Sequence, residues 1–506
     1  AFDNSGTFTG NLGTATVTVA DSQTMTAAYS VLNGKTVNHD GSENAQGLVV
    51  TINNADRAAD LNNITSDITN ITAQFTENQT FTGNLRSKTA TVDDSVTVTA
   101  AYSVLNGQTV NHDGSEDSQA LVVTINNADR AGDLSNITSN ITNITAQFTE
   151  NQTFTGDLNG KSATVDDGVT VTAAAADVTG DTIAAGGTGN IAVTALDATL
   201  NANLSGLSSV GGAVTAAFDN SGTFTGNLGT ATVTVADSQT LTLTAAKASG
   251  KTINEAGGDD ATVAVSALEL TLDANLSGIT TNAVTAAFDD DGTFTGNLGD
   301  ATVTVASGKT LTADASVLTG KTITGDGSVV VTDIGNTTNL TNVNPNGGVT
   351  ATVADGADIS GNDNLANVDN YQLGTSDVTM TIAQHGLINS ATASDNTVTL
   401  SAAGTVTANS AVEIYQLADG AGNDFTTDAV GQTVTGGTGD DTITGVAGND
   451  VILGGDGADT ITGGAGEDIL TGGDGADTFV FASTDSASDI YSDTDFSGGL
   501  TDGDKF

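Results

Sequence analysis

Five aspartates recur every nine residues toward the C-terminal end of the chain, at Asp441, Asp450, Asp459, Asp468 and Asp477. Each is the sixth residue of a nonapeptide, and from Gly436 to Val480 these read GGTGDDTIT, GVAGNDVIL, GGDGADTIT, GGAGEDILT and GGDGADTFV. A carboxylate kept in constant phase offers a hard oxygen ligand, the donor type that calcium takes. Glycine fills the first and fourth places, at Gly436 and Gly439, Gly445 and Gly448, Gly454 and Gly457, Gly463 and Gly466, and Gly472 and Gly475. Glycine lets the backbone turn through positive φ without a Cβ penalty. Two places after each aspartate stands Ile443, Ile452, Ile461, Leu470 or Phe479, an apolar residue expected to turn inward and build a core. A flexible glycine linker would not hold Asp and Ile in fixed phase.

The register resembles GGxGxDxUx, where U is a large apolar residue, the calcium-binding pattern of the repeats-in-toxin (RTX) family of secreted bacterial proteins. That resemblance implies a parallel β-roll folded around Ca2+. Two nonapeptides complete one coil in the family, so the ion is expected between turns eighteen residues apart. Carried onto this sequence, the pairs are Asp441 with Asp459, Asp450 with Asp468, and Asp459 with Asp477. The second copy departs from the pattern with Val446 where a second glycine is expected, and its backbone should differ accordingly.

Charge points the same way. Sixty-one acidic residues against eleven basic ones leave a formal charge of -50, which argues against nucleic acid and anionic membrane as partners and favours cations. There is no Cys, so disulfides and thiolate metal sites are excluded and an extracellular chain needs another staple. Calcium can be that staple. With one Pro and no Trp, the interior falls to Val, Ile, Leu, Ala and Thr, as expected for thin stacked layers. No apolar run is long enough to form a transmembrane segment. The sequence starts and stops within repeats and is expected to be a portion of a longer chain.

The elements that must position the aspartates begin with a long repeat. A motif of the form FxxxxTFTGNL starts at Phe2, Phe75, Phe148, Phe218 and Phe288, in steps of 73, 73, 70 and 70 by subtraction. The glycine of an NGKT-like segment, at Gly34, Gly107, Gly180, Gly250 and Gly320, keeps the same steps. Inside each unit, runs such as TATVTVA and TLTLTAA alternate with period two and are broken by turns such as DNSG and EAGGDD. That pattern predicts strand and turn with almost no helix. A sandwich domain per unit and about three solenoid coils per unit both fit 70 residues. The absence of linkers and the small core residues favour the solenoid.

The fold expected is therefore all-β, an elongated parallel β-solenoid ending in a calcium-binding β-roll. Residues 1–343 form the long-repeat solenoid and 344–435 a connecting solenoid in which VDNYQL at Val368 is echoed by VEIYQL at Val412. Residues 436–481 form the roll, and 482–506 start a C-terminal cap or secretion region.

Several motifs imitate chemistry. NGKT, SGKT and TGKT at Asn33, Ser249 and Thr319 end like a phosphate-binding loop, but Tyr29, Ala245 and Ala315 stand where its first glycine belongs. HExxH and GxSxG are both absent, so neither a zinc protease centre nor a lipase nucleophile is expected. The acidic turn Asp289 to Asp291 is read as solvated, and the NIT sequons at Asn63 and Asn136 as products of composition. Rows of TxT are read as exposed strand faces rather than as an ice-binding surface.

The chain is expected not to be an enzyme. We expect an extracellular, self-assembling structural protein of the bacterial surface, an S-layer, filament or matrix component exported by a type I system. Its partners would be calcium and copies of itself, with cell-surface polysaccharide as a further candidate. The alternatives are the stalk of a large RTX adhesin and a polysaccharide-modifying enzyme with an RTX tail.

Overall fold

The computed structural model describes residues 1–41, 46–114, 118–258, 260–389, 395–480 and 489–492. Most of the region expected as a C-terminal cap, 482–506, lies outside the described residues. The chain divides into two compact units. One comprises Ala1–Leu243, Lys251–Val263 and Ile279–Ala283, and the other Thr244–Gly250, Ala264–Gly278 and Val284–Phe506.

In the first unit the Val/Thr alternation becomes parallel ladders. Thr97–Ala101, TVTAA, buries Val98 and Ala100 and leaves the threonines half-exposed, because successive side chains of a strand point to opposite faces. Gln79, Val98, Leu121 and Ile144 lie in register on successive strands, in steps of 19, 23 and 23 by subtraction. Each residue therefore stacks on its counterpart in the next coil. Ile52, Phe75 and Val92 form one such column, all of them fully buried. Each buried side chain of this size contributes about 1.5–3 kcal/mol against only its neighbouring coils.

The repeat does not close on a whole number of coils. Gln152, the counterpart of Gln79 one repeat later, opens a different sheet and pairs with Val171. From Ile144 to Phe218 successive strands alternate between the two sheets. Ile144–Phe148, Ser162–Val165, Ile183–Ala185 and Leu207–Ser209 belong to one. Gln152–Phe154, Thr170–Ala174, Asn190–Thr194 and Val214–Phe218 belong to the other. A 73-residue repeat thus spans three coils and a half, which places equivalent segments of these two repeats on opposite sheets. Their packing is nevertheless the same. Phe75 meets Phe81, and Phe148 meets Phe154, edge to face at 5.1 Å and 75° in both.

One-turn helices make corners after the threonine-rich strands, as at Tyr29–Leu32 and Tyr102–Leu105. The NGKT-like segment follows. Its glycine is left-handed every time, with φ from +69° at Gly250 to +83° at Gly180, a conformation that favours glycine. The lysine clamps two coils together. Lys35 donates to the Gly13 carbonyl and Lys251 to that of Gly229 at 2.6 Å, so these segments are coil fasteners. Asp181 takes the lysine's place in the third repeat, where burial, with Asp157 nearby adding to it, pushes its carboxyl up to about 6.

In the second unit Lys321 makes the same clamp to Gly299 at 2.5 Å. A parallel sheet then runs from Ala357–Asp358 through Val378–Met380, Thr397–Leu400, Ile414–Gln416, Thr433–Thr438, Val451–Asp456 and Ile469–Asp474 to Ile490–Ser492. The connecting segment and the nonapeptides therefore share one ladder. A second sheet, of Thr405–Thr407, Asp424–Thr426, Thr442–Thr444, Thr460–Thr462 and Thr478–Val480, lies alternately in sequence with it. Steps of 17 to 21 residues settle to a uniform 18 within the nonapeptides, as in Val434 to Ile452 to Leu470. No helix among the described residues is long and apolar enough to cross a membrane.

Candidate metal centre

Each nonapeptide ends in a short strand whose central apolar residue points inward. Ile443, Ile461 and Phe479 stack in one sheet, Ile452 and Leu470 in the other, and all are at most 3% exposed. The preceding six residues turn the chain, and that turn brings the aspartate inside. Asp441, Asp450, Asp459, Asp468 and Asp477 are each at most 1% exposed. Such burial is rare for an unneutralised carboxylate.

The three expected pairs meet. The backbone N–H of Asp441 donates to Oδ1 of Asp459 at 2.8 Å, that of Asp450 to Asp468 at 2.9 Å, and that of Asp459 to Asp477 at 2.9 Å. Two columns of carboxylates result, one from alternate repeats on each side. One carboxylate oxygen is thus used in fastening coils. The other is not: Oδ2 of Asp441 and Oδ2 of Asp459 are buried without any hydrogen-bond partner.

The glycines explain how those oxygens fit. A Cβ built on Gly436, Gly445, Gly454, Gly463 or Gly472 would stand within 2.9 Å of the Oδ2 of the aspartate five residues on. On Gly439, Gly448, Gly457, Gly466 or Gly475 it would come within 2.7 Å of the backbone of the preceding coil. First-place glycines leave room beside the carboxylate, and fourth-place glycines let the coils close. At the second place Gly437, Gly455, Gly464 and Gly473 have φ between +88° and +118°, and Val446 does not share that left-handed backbone.

Burial pushes Asp450 and Asp459 up to about 6 and raises Asp441 as well, because a charge removed from water resists forming. A hard divalent cation reverses that balance, since it supplies the missing partner to the open oxygens. Buried, unpartnered carboxylate oxygens beside space that only glycine leaves free fit calcium.

Both columns extend beyond the nonapeptides. Eighteen residues before Asp441 the backbone and the side-chain amide of Asn423 both donate to its Oδ1, at 2.6 and 2.8 Å. Gln432 N–H does the same for Asp450 at 2.8 Å. At the other end Asp468 donates its N–H to Oδ1 of Asp489 at 3.1 Å, and the strand at Ile490–Ser492 adds a further rung. A signal for all three was present in the sequence. Asn423 is followed two residues later by Phe425, Gln432 by Val434 and Asp489 by Tyr491, repeating the spacing of Asp441 to Ile443. The missing glycines hid it.

Other acidic clusters include carboxylates already held by protein donors. Asp237, Glu255 and Asp260 lie together, but Glu255 accepts the N–H groups of Asp260, Ala261 and Asn282, and Asp260 accepts from Ser238. In the turn at Asp289 to Asp291, Asp290 pairs with Lys309 at 2.6 Å and Asp291 accepts the Thr310 N–H. The sequon amides of Asn63 and Asn136 donate to the hydroxyls of Tyr29 and Tyr102 at 3.2 and 3.3 Å. Of the histidines, His39 lies 3.6 Å from Asp67 and His112 donates its backbone N–H to Asn140. His385 Nε2 lies 2.9 Å from the Tyr415 hydroxyl in a buried pair, and burial lowers its pKa.

A family model described as the RTX calcium-binding nonapeptide repeat, in four copies, matches residues 431–460 and 444–479. No curated protein and no solved structure matches the chain.

Proposed function

With an RTX-type chain bearing calcium-binding nonapeptides as the premise, we propose a structural protein of the bacterial exterior that locks its solenoid with calcium and assembles with copies of itself. Asp441, Asp450, Asp459, Asp468 and Asp477, with the glycine turns around them, would form the two columns on which the calcium ladder is built. The observation that carries this is the open Oδ2 of Asp441 and Asp459, buried and without a hydrogen-bond partner among the described residues. Calcium binding and folding of the roll are then one event, because the carboxylates repel one another until the ion arrives. Such a chain stays unfolded in a calcium-poor cytosol and folds on reaching millimolar calcium, which suits type I export.

A structural rather than catalytic role is supported by repetition. Equivalent residues do the same mechanical work in the first, fourth and fifth units, where Lys35, Lys251 and Lys321 make the same clamp. Self-association is supported by one face of the roll. Val451, Leu453, Ile469 and Ile490 are 38 to 58% exposed along neighbouring strands, with Thr433 and Thr471 beside them in the ladder. In a chain of charge -50, that is where two copies meet with least repulsion.

Electron micrographs of the purified protein in millimolar calcium, before and after chelation, test the assembly. Sheets or fibres that dissolve with the chelator are expected. Separate single particles under both conditions would contradict self-assembly and turn the reading to an adhesin stalk.

A further inference from the structure

The two carboxylate columns do not begin alike. In one, Asn423 closes Oδ1 of Asp441 and leaves Oδ2 buried and open. In the other, Gln432 closes Oδ1 of Asp450, and the hydroxyl of Thr427 stands 3.1 Å from Oδ2. Thr427 occupies the first place of its coil, counted eighteen residues before Gly445, so a hydroxyl fills a position that belongs to glycine in the nonapeptides. A carboxylate only accepts, so the hydroxyl must donate. Its competing acceptor, the Asp428 carbonyl, is neutral and farther away at 3.3 Å.

The same hydroxyl accepts the backbone N–H of Val446 at 3.0 Å. Val446 is the residue that breaks the glycine pattern, and it stands in the repeat of Asp450. Two departures separated by 19 residues in sequence therefore meet at one atom, the Thr427 oxygen. The relay runs from Val446 N–H to Thr427 Oγ1 to Asp450 Oδ2, and it sets the hydroxyl proton against the oxygen that a cation would take.

We propose that Thr427 and Val446 form a built-in plug that withholds Asp450 Oδ2 from calcium, so that the ladder starts one rung earlier on the Asp441 side than on the Asp450 side. The proposal rests on the calcium reading of the columns. The plug gives the array a defined, calcium-independent first rung on which the ion-bound coils build. It also accounts for Val446: a glycine is unnecessary where no ion has to be wrapped.

Two measurements test it. Calcium stoichiometry by equilibrium dialysis should be one ion per chain higher in Thr427→Gly/Val446→Gly than in the wild type, and unchanged in Thr427→Ser, which keeps the hydroxyl. An unchanged or lower count in the double variant overturns the plug. Independently of any variant, anomalous scattering from wild-type crystals grown in calcium should place ions at Oδ2 of Asp441 and Asp459 and none at Oδ2 of Asp450. An ion at Asp450 Oδ2 overturns the plug alone. Absence of ions from Asp441 and Asp459 overturns the calcium reading itself.

Discussion

Asp441 donates its backbone N–H to Oδ1 of Asp459 at 2.8 Å, so coils eighteen residues apart are tied through the carboxylate whose second oxygen has no protein donor. One side chain thus serves the fold with one oxygen and is available to an ion with the other.

Separating those two duties is the first prediction. Asp459→Asn keeps an acceptor for the Asp441 N–H and removes a charge. Calcium affinity should fall on the order of tenfold, because ligand charge sets the affinity of such sites. In chelator the same variant should be no less stable than the wild type, since a buried unpaired charge has gone. Isothermal titration and melting curves in calcium and in chelator read the two effects. Equal affinity of variant and wild type would remove Asp459 from the site.

The space beside the carboxylate is a second target. Gly454→Ala sets a methyl group against Asp459 Oδ2 and the Gly472 carbonyl, and should cost about 1–3 kcal/mol in calcium, as overpacking does. Gly361→Ala meets nothing within 4 Å and serves as the control. Melting of both variants in calcium gives the comparison, and similar losses would mean that the first-place glycines do not shape the site.

Asp181 carries a prediction about the solenoid itself. Lys35, Lys251 and Lys321 each reach a carbonyl 22 residues back, and Asn159 stands at that distance from Asp181 with the matching left-handed backbone, φ +52°. Asp181→Lys should restore the clamp and stabilise by about 1 kcal/mol. The folded carboxyl titrates at about 6 against 3.8 unfolded, so its neutral form is the one that the fold favours. Its contribution is present below pH 4 and lost as pH rises through 6. The advantage of the lysine variant in melting temperature should therefore widen from pH 4 to pH 7. A loss would contradict the clamp, and an advantage that stays flat would contradict the raised carboxyl.

How much of this could be read in advance depended on which signals stayed in phase. Asp441 to Asp477 announced themselves because nine-residue spacing held both Asp and apolar residue fixed, and the fold sets the members of each expected pair in neighbouring coils. The half coil in each long repeat was hidden because the coil steps vary from 17 at Thr145 to Ser162 to 29 at Thr36 to Thr65. Corners of unequal length absorb that variation, and only strand pairing reveals which sheet a segment joins. Asn423, Gln432 and Asp489 kept the spacing to an apolar neighbour but lost the glycines, so they resembled ordinary solenoid. Val446 was visible as a departure. Its reason was not, because Thr427 lies in the preceding coil and only the fold brings the two together.

The central claim is that calcium and the fold of the roll are one equilibrium. Hydrogen exchange across Gly436 to Val480, followed in millimolar calcium and in chelator, tests it most directly, since Asp441, Asp450 and Asp459 each give an N–H to the next carboxylate of their column. Slow exchange at these amides in calcium and fast exchange throughout the segment in chelator is the predicted result. Equal protection in both conditions would contradict the account.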